Sequence, residues 1–303
     1  MAQRQGGRSA QAAEPAYDLH MHSTYSDGSC SVEQLIERAR TQGLQGIAIT
    51  DHDSLKQLTM VRHIARANDY PVLAGLEAST INPVTGRKVH ILAYGLEATP
   101  DGSGPLEKIV DETLRLRTAN TLWQTWTLVR AGVSFEGRVL SLDRVVAQAG
   151  ESTAVYKQHV MEVLLGTPNA DPEHQRIYRS LFKGDGIANH DINYPEALDV
   201  VRAIREQGGH PVLAHPGQMD SWDLVPDLVK AGLEGIEVHH PDHRRADVER
   251  ARELADRFGL IRTGGSDFHG RYGTPESVGC CRVTAEEAGE RVADLFEAES
   301  TLR

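Results

Sequence analysis

Residues 17–22, with the sequence YDLHMH, give the strongest single indication of the fold. Polar and apolar residues alternate, which predicts a β-strand with Asp18, His20 and His22 on one face. The two imidazoles lie about 6.5 Å apart along such a strand and suit one divalent ion. The pair alone is weak evidence for a metal site, because His-x-His also occurs for structural reasons. Further ligands elsewhere in the chain are needed to support metal binding.

Downstream of this strand, short apolar strands and helices alternate. Ser31 with Gln34 and Ser54 with Gln57 form two capping boxes, which predict the starts of two helices. Strands are expected at residues 46–50, 71–78, 88–94, 211–215, 235–239, 260–264 and 277–283. This alternation predicts an α/β fold with a mainly parallel sheet, closed into a barrel.

The alternation of strands and helices stops in the middle of the chain, where helices follow one another without a predicted strand. The first of them, at residues 105–130, carries Trp123 and Trp126, whose spacing of three favours core packing over base stacking. Three parts are therefore predicted: a disordered tail at residues 1–16, a β/α domain at residues 17–99 and 194–303, and an inserted helical subdomain at residues 100–193.

Composition restricts the partners. The 303 residues carry a formal net charge of −11, which disfavours long duplex nucleic acid because the field of the protein repels phosphate. A small phosphorylated ligand is compatible if bound metal ions reverse the local charge. Cys30, Cys280 and Cys281 suggest neither a disulfide framework nor a zinc motif and favour a reducing cytoplasm. No apolar run is long enough to span a membrane.

Nitrogen and oxygen donors follow the predicted strands, and the carboxyl ends of such strands meet at one face of the fold. The candidate ligands are His20, His22, Asp27, His52, Glu77, His90, His215, Asp267 and His269. Nine donors are too many for one ion, so two or three divalent ions are implied, and the mixture of carboxylate and imidazole suits Mn²⁺, Fe²⁺ or Zn²⁺. Ions about 3.5–4 Å apart can clamp a phosphoryl group, which predicts phosphoesterase chemistry.

The order of the motifs resembles the polymerase and histidinol phosphatase (PHP) family of phosphoesterases. The matching segments are DLHMHS at 18–23, SDG at 26–28, ITDHD at 49–53, GLE at 75–77, VHIL at 89–92, LAHPG at 213–217, GIEV at 235–238 and GGSDFHG at 264–270. Together they extend over nearly the whole chain. The resemblance implies a distorted seven-stranded β/α barrel with an inserted helical subdomain.

The resemblance also implies how the ligands are shared between ions, with Glu77 as a bridge. The implied sets are His20, His22, Glu77 and Asp267; Glu77, His90 and His215; and Asp27, His52 and His269, the last being the second of two sites if only two ions bind. In some members of the family a His stands where this chain has Asp27.

Within the family, the insertion makes the chain similar to phosphatases that remove the 3′-phosphate of nucleoside 3′,5′-bisphosphates, with AMP as a product, and that also trim short RNA from the 5′ end. Such enzymes carry Arg-Pro-His in the insertion, where this chain has Lys157-Gln158-His159. We therefore predict that Lys157, His159 and Arg271 bind substrate phosphate.

Other residues are predicted to assist the reaction. His215 belongs to both the ligand set and the catalytic set, and His239 is a candidate acid for the leaving group, with metal-bound water as the alternative. Asp51 and Asp18 are expected to fix imidazole tautomers.

Three other functions remain open at this point. A histidinol-phosphate-type phosphatase shares the motifs. An amidohydrolase also begins with His-x-His, but typically needs a bridging Lys, and Glu77 fits the phosphoesterase better. A non-catalytic, metal-stabilised binding module is the third, because fold alone does not establish activity.

Overall fold

The computed structural model describes residues 14–274 and 277–302. Most of the predicted tail lies outside these residues, and its last residue, Ala16, already belongs to a strand. The fold is mixed α/β. None of the helices in the described ranges is long and apolar enough to cross a membrane.

The first part of the chain alternates strands and helices as expected, except that the single strand predicted at residues 71–78 is divided into two strands that belong to different sheets. Its elements are β1 (Ala16–Asp18), α1 (Val32–Thr41), β2 (Gly46–Ile49), α2 (Leu58–Ala67), β3 (Val72–Ala74), β4 (Leu76–Ile81) and β5 (Lys88–Tyr94). The capping box of Ser31 and Gln34 is confirmed. The capping box predicted for Ser54 and Gln57 is wrong. The side-chain amide of Gln57 donates to the backbone carbonyl of Ser54, and no side chain caps α2.

The middle of the chain is mainly helical. It contains α3 (Pro105–Arg130), β6 (Ser134–Phe135), β7 (Arg138–Val139), α4 (Leu142–Ala149), α5 (Lys157–Leu164) and α6 (Pro172–Phe182). The long helix is confirmed, but the expectation that no strand interrupts the helices is wrong, because β6 and β7 form a hairpin. Glu136 and Gly137 both have positive φ, 46° and 78°, as a two-residue hairpin turn requires.

The last part returns to strands and helices. It contains α7 (Ala197–Glu206), β8 (His210–Leu213), α8 (Pro216–Met219), α9 (Val225–Ala231), β9 (Gly235–His239), α10 (Arg245–Phe258), β10 (Ile261–Gly264), β11 (Val283–Thr284), α11 (Ala285–Ala288) and α12 (Glu290–Thr301). The strand predicted at residues 277–283 is therefore shorter than expected and begins only at the last residue of that range, Val283.

Apart from the β6–β7 hairpin, the strands of the described ranges form two open sheets with the orders β11-β1-β2-β3 and β10-β9-β8-β5-β4. Two stretches are parallel, β1-β2-β3 and β8-β9-β10, whereas β4 and β5 are antiparallel because a tight turn joins them. Among the described residues, the two sheets are linked by isolated bridges, Met21 with Phe268 and His52 with Glu77, and by single backbone hydrogen bonds, such as that from the Leu19 N–H to the Gly264 carbonyl at 3.0 Å. Continuous ladders do not close a ring, so the seven-stranded barrel stays a prediction.

Apolar side chains fill the space between the two sheets. The Tyr94 side chain is fully buried there, and its hydroxyl donates to the Leu19 carbonyl at 2.7 Å. The helical segment has a separate cluster around Leu128 and Phe182. Trp123 and Trp126 belong to neither core: each is 44% exposed, so their predicted core packing is wrong. Helix α3 packs through its other faces.

A buried ion pair ties α12 to the rest of the fold. Arg62 Nε lies 2.7 Å from Glu299 Oε1, and both side chains are almost fully buried. Glu299 also accepts the backbone N–H of Ala74 at 3.2 Å. Truncating one partner of such a pair leaves the other charge buried without compensation.

We therefore expect Glu299→Ala to lower the free energy of unfolding by about 3–5 kcal/mol. Urea titration of the variant and the parent protein measures this difference. Asp227→Ala serves as the control, since it removes an exposed pair with Lys230 and should change stability little. Equal, small losses in both variants would contradict the structural role of the buried pair.

Candidate metal centre

The two histidines of the opening motif lie beside the last motif of the chain. Asp267 donates its backbone N–H to the carbonyl of His20 at 2.8 Å, and His22 donates to the carbonyl of Phe268 at 3.0 Å. Gly265 allows this approach, because a Cβ atom there would lie 2.3 Å from Cβ of His20. The backbone thus holds two distant segments in register at one end of the sheets.

Other backbone bonds bring the remaining strand ends to the same place. Asp53 donates to the carbonyl of Glu77 at 3.0 Å, and Glu77 donates to the carbonyl of Asp51 at 3.2 Å. Ala214 donates to the carbonyl of His90 at 3.1 Å. The ends of β2, β4, β5 and β8 therefore meet at the face that carries the opening motif.

All nine predicted ligands come together at this face. They form three overlapping groups, in each of which one donor atom per residue lies within 4.8 Å of the others. The groups are His22, Asp27, His52 and His269; His20, His22, Glu77 and Asp267; and Glu77, His90 and His215. We call the first the Asp27 group and the other two the Glu77 groups. The geometry differs from the predicted sets only in adding His22 to the Asp27 group.

Four donor atoms of the larger Glu77 group surround one point. His20 Nε2 and His22 Nε2 lie 3.3 Å apart, and 3.2 and 3.1 Å from Glu77 Oε2. They lie 3.4 and 3.2 Å from Asp267 Oδ1. Ligand atoms around a tetrahedral ion with bonds of 2.0–2.1 Å are about 3.3–3.4 Å apart, so this spacing fits a small divalent cation.

The carboxylate of Glu77 joins the two groups that contain it. Its Oε1 lies 2.7 Å from His90 Nδ1 and 2.8 Å from His215 Nε2. Its Oε2 faces His20 and His22 instead. One carboxylate therefore presents a separate oxygen to each group, which is the arrangement that a bridging ligand needs.

Two buried donor atoms of the Asp27 group lack a hydrogen bond within the described part of the chain. They are Nδ1 of His22 and Oδ1 of Asp27, which lie 3.8 Å apart. A buried polar atom without a partner costs about 1–3 kcal/mol, and such atoms are rare in folded proteins. A cation between them would satisfy both, so the donor set fits divalent metal ions.

The electrostatics of the cluster also favour positive charge. Burial by itself would lower the pKa of both opening histidines, but nearby carboxylates raise the pKa of His20 well above its usual value and that of His22 to about 10. Burial would raise the pKa of Glu77 and Asp267, yet the surrounding histidines hold the pKa of both carboxyls well below the usual range. Ionised carboxylates in a buried site attract a proton or a metal ion.

Glu237 is a site residue that the sequence analysis quoted in a motif without assigning it a role. Its Oε1 lies 3.2 Å from His20 Nδ1, and its Oε2 accepts the backbone N–H of His215 at 2.8 Å. A proton on His20 Nδ1 leaves Nε2 free to face Glu77. The sequence did indicate a role for Glu237, since a carboxylate in the middle of an apolar strand is buried and requires buried partners.

Asp51 and Asp18 do not have the predicted role. Asp51 Oδ1 accepts the backbone N–H of Ser23 at 2.8 Å and the hydroxyl of Ser26 at 2.6 Å. Asp18 Oδ1 accepts the backbone N–H of Ser266 at 2.9 Å. Among the described residues, neither carboxylate bonds to an imidazole ring, so both shape the loops that carry the ligands rather than fix a tautomer.

His239 is also placed differently from the prediction. Its Nε2 lies 2.7 Å from Glu287, which Arg252 binds as well, so the geometry does not support it as an acid for the leaving group. The neighbouring His240 faces the cluster instead, with Nε2 3.4 Å from Asp267 Oδ2. The register between β9 and β10 is irregular at this end, which strand alternation could not reveal.

A cavity of about 560 Å³ adjoins the cluster. Three proposed ligands, Asp27, His52 and His90, form part of its wall. The rest of the lining is Ser79, Lys88, Arg117, Asn120, Thr121, Tyr156, Lys157, Gln158, Tyr178, Lys183, Asp191, Ile192, Tyr194, Gln218 and Met219. Much of this lining comes from residues 100–193, which we call the insertion, and its cations suit an anionic ligand.

Lys157, predicted to bind phosphate, lines this cavity. It forms no ion pair with any residue in the described ranges, whereas Lys88 pairs with Asp191 at 2.6 Å. Burial lowers the pKa of Lys157 to about 8, so the amine is still charged at neutral pH. Arg117, which sequence analysis missed because helical Arg usually faces water, also lines the cavity and binds Asp53 at 2.5 Å.

His159 and Arg271 lie outside the cavity lining, contrary to the prediction. His159 is buried, and its Nδ1 accepts the backbone N–H of Tyr156 at 3.1 Å, which caps helix α5. Arg271 pairs with Glu162 at 3.1 Å and donates to the carbonyl of Gly166. His159 therefore stabilises a helix of the insertion, and Arg271 joins the insertion to the segment that follows the last motif, and neither side chain lines the ligand space.

Known proteins are similar to this chain in sequence and in fold. The PHP domain family matches residues 18–131, and the PHP-associated family matches residues 246–299. The chain is 45% identical over 262 residues to a phosphoribosyl 1,2-cyclic phosphate 1,2-diphosphodiesterase of Eggerthella lenta, covering 86% of this chain and 97% of the relative. It is 31% identical over 263 residues to a 3′,5′-nucleoside bisphosphate phosphatase of Chromobacterium violaceum, covering 83% and 86%.

A solved structure from Bifidobacterium adolescentis, described as a metal-dependent phosphoesterase, superposes with a TM-score of 0.79. The match covers 94% of this chain and 96% of that chain at 24% identity, which supports the fold. With full-length relatives at 45% and 31% identity and the ligand motifs gathered at one face, the chain belongs to the PHP family of metal-dependent phosphoesterases.

Proposed function

We propose that the protein hydrolyses phosphate esters on a ribose that carries a second phosphate group, with phosphoribosyl 1,2-cyclic phosphate as the substrate. The observation that carries this proposal is the position of the cationic cavity directly beside the candidate metal centre. One phosphate of the substrate would lie at the metal centre and the other in the cavity. The 45% identical relative bears this substrate in its name.

The three donor groups would hold two or three divalent ions, of which Mn²⁺, Fe²⁺ and Zn²⁺ suit the mixed imidazole and carboxylate donors. When bound, such ions stabilise charge on phosphoryl oxygens and make water a better nucleophile at neutral pH. Glu237 keeps His20 Nε2 directed into the centre. Lys157 and Arg117 orient the remote phosphate, so that the reacting ester is held in place.

Release of phosphate from a cyclic diester needs two hydrolyses. The first breaks one P–O bond of the ring and leaves a monoester, and the second breaks the remaining ester bond. Both steps place a tetrahedral phosphorus group at the same cluster of donors. The proposed activity therefore includes phosphomonoester hydrolysis, as the sequence analysis predicted.

A nucleoside 3′,5′-bisphosphate is the second candidate substrate. It also carries two phosphates on one ribose, and the 31% identical relative acts on this class by name. Tyr156, Tyr178 and Tyr194 line the cavity and could face a base. Trimming of short RNA from the 5′ end, which was predicted from the resemblance, stays a prediction.

Phosphate release from the two candidates by the Mn²⁺-loaded protein decides between them. We expect a kcat/KM at least about tenfold higher for phosphoribosyl 1,2-cyclic phosphate, a difference of about 1.4 kcal/mol in transition-state stabilisation. Histidinol phosphate and a 5′-phosphorylated RNA are the comparison substrates. Preference for adenosine 3′,5′-bisphosphate would overturn the first candidate, and no turnover of any ester would overturn the proposed class.

Glu77→Gln should reduce turnover by more than about 100-fold, beyond the loss typical of residues that only support a ligand. The amide keeps the size of the side chain but cannot bridge two cations as an anion. Phosphate release and bound metal are measured together, with Glu234→Gln on the opposite side of the fold as the matched control. Near-normal turnover in Glu77→Gln would contradict the bridging role.

Lys157→Met should raise KM by about 10–100-fold for substrates with a remote phosphate, because a hydrogen bond to a charged group contributes about 1.5–3 kcal/mol. A ribose cyclic phosphate without the remote phosphate should be affected little. The KM of the parent protein should rise above pH 8, where Lys157 loses its charge, and Lys157→Arg should suppress this rise. Lys230→Met is the surface control, and an equal change with both substrates would contradict the assignment.

Metal binding should release protons. Below its raised pKa of about 10, the metal-free His22 ring is protonated, and a ring that binds a metal must be neutral. Metal affinity should therefore fall as the pH falls, by up to about tenfold per pH unit for each proton displaced. Calorimetry in two buffers of different ionisation enthalpy measures the proton count at pH 7. A count of zero would show that the histidines near Glu77 are not ligands.

A further inference from the structure

The insertion contacts the metal centre on one side only. Within the described part of the chain, two hydrogen bonds run from the insertion to a proposed ligand, and both reach the Asp27 group. Gln158 Nε2 donates to Asp27 Oδ2 at 2.9 Å, and the hydroxyl of Tyr156 donates to the backbone carbonyl of His52 at 3.2 Å. The Glu77 groups are instead held by strand ends and by Glu237.

The bond from Gln158 determines how the Asp27 carboxylate is turned. With Oδ2 occupied by the amide, Oδ1 is directed towards His269 Nε2 at 3.4 Å and His22 Nδ1 at 3.8 Å. This oxygen has no hydrogen bond to a described residue and is buried. Gln158 therefore fixes one oxygen as the ligand atom and uses the other as the anchor.

The turn that carries Asp27 is also held from the insertion. The hydroxyl of Ser152 donates to the carbonyl of Ser26 at 2.7 Å, and the backbone N–H of Thr153 donates to the carbonyl of Tyr25 at 2.8 Å. Asp27 thus lies on a turn whose position depends on another part of the chain. Glu77, by contrast, lies within β4, whose ladder to β5 fixes it.

We propose that Gln158 is a positioning residue that sets the metal affinity of the Asp27 group and leaves that of the Glu77 groups unchanged. Through it, the insertion controls how fully the centre is loaded. Because Gln158 also lines the cavity, a ligand there and an ion in the Asp27 group share one side-chain contact. The inference rests on the metal binding assumed in the proposed function, but not on the identity of the substrate.

The test is metal stoichiometry as a function of free Mn²⁺. Metal-free protein is dialysed against a series of Mn²⁺ concentrations, and bound metal is counted by elemental analysis. Gln158→Met keeps the length of the side chain and removes the donor, and it should weaken one ion by about 10–100-fold, as loss of a residue that orients a ligand does. The remaining ions should bind as in the parent protein.

Two further variants make the result specific. Gln158→Glu also lacks the amide donor and places a second carboxylate against Asp27 Oδ2, so it should not restore the parent affinity. Gln148→Met is the matched control, since Gln148 also lies in the insertion, donates to the hydroxyl of Tyr272 outside it at 3.0 Å, and forms no hydrogen bond to a proposed ligand in the described part of the chain. Thermal unfolding of the metal-free proteins verifies that each variant is folded.

The outcomes separate this inference from the proposed function. Unchanged affinity for every ion in Gln158→Met, or equal weakening of all of them, would overturn the positioning role while leaving the metal centre in place. If the parent protein takes up no Mn²⁺ at any concentration, both the positioning role and the metal centre of the proposed function are overturned. This outcome is measured on the parent protein alone.

Discussion

The burial of one carboxylate, that of Glu77, is the constraint on which the site depends. The side chain is 1% exposed, and a buried carboxylate is costly unless charges or donors surround it. Here five imidazoles, those of His20, His22, His52, His90 and His215, lie within 3.5 Å of its two oxygens. Each imidazole comes from a different strand end or from the opening motif, so the strands must converge for the carboxylate to remain charged. The same convergence creates a place for cations.

The fold divides the site between two kinds of structure. Backbone bonds between strand ends fix the Glu77 groups, and a ladder residue cannot move without breaking several hydrogen bonds. The cavity is built largely by side chains of the insertion, most of them long and polar. Reaction type therefore depends on the sheets, and the shape and charge of the ligand space depend on the insertion. Relatives that are named for different phosphate esters are compatible with this division.

The donor residues could be predicted from the sequence because strand ends converge in any β/α arrangement, whatever the exact register. The predicted roles of His239 and Asp51 were wrong because they depended on local geometry. An irregular register at the end of β9 turns His240 towards the centre and His239 towards Glu287. The carboxylate of Asp51 bonds to serines of a neighbouring turn, which strand alternation cannot indicate. The predicted closure of the sheets into a barrel is a separate case: it depends on a few residues where the two sheets meet, and it stays a prediction.

The segment Lys157-Gln158-His159 shows why motif position alone does not assign function in a helix. Successive residues of a helix point about 100° apart, so three neighbours cannot all face one cavity. Lys157 and Gln158 face the ligand space, whereas His159 turns inwards and caps the first turn of α5. A histidine at the third position therefore stabilises the helix that presents the other two. Substitution of Lys157 changes the charge in the cavity, and substitution of Gln158 removes the hydrogen bond to Asp27. Substitution of His159 affects the helix that carries both residues.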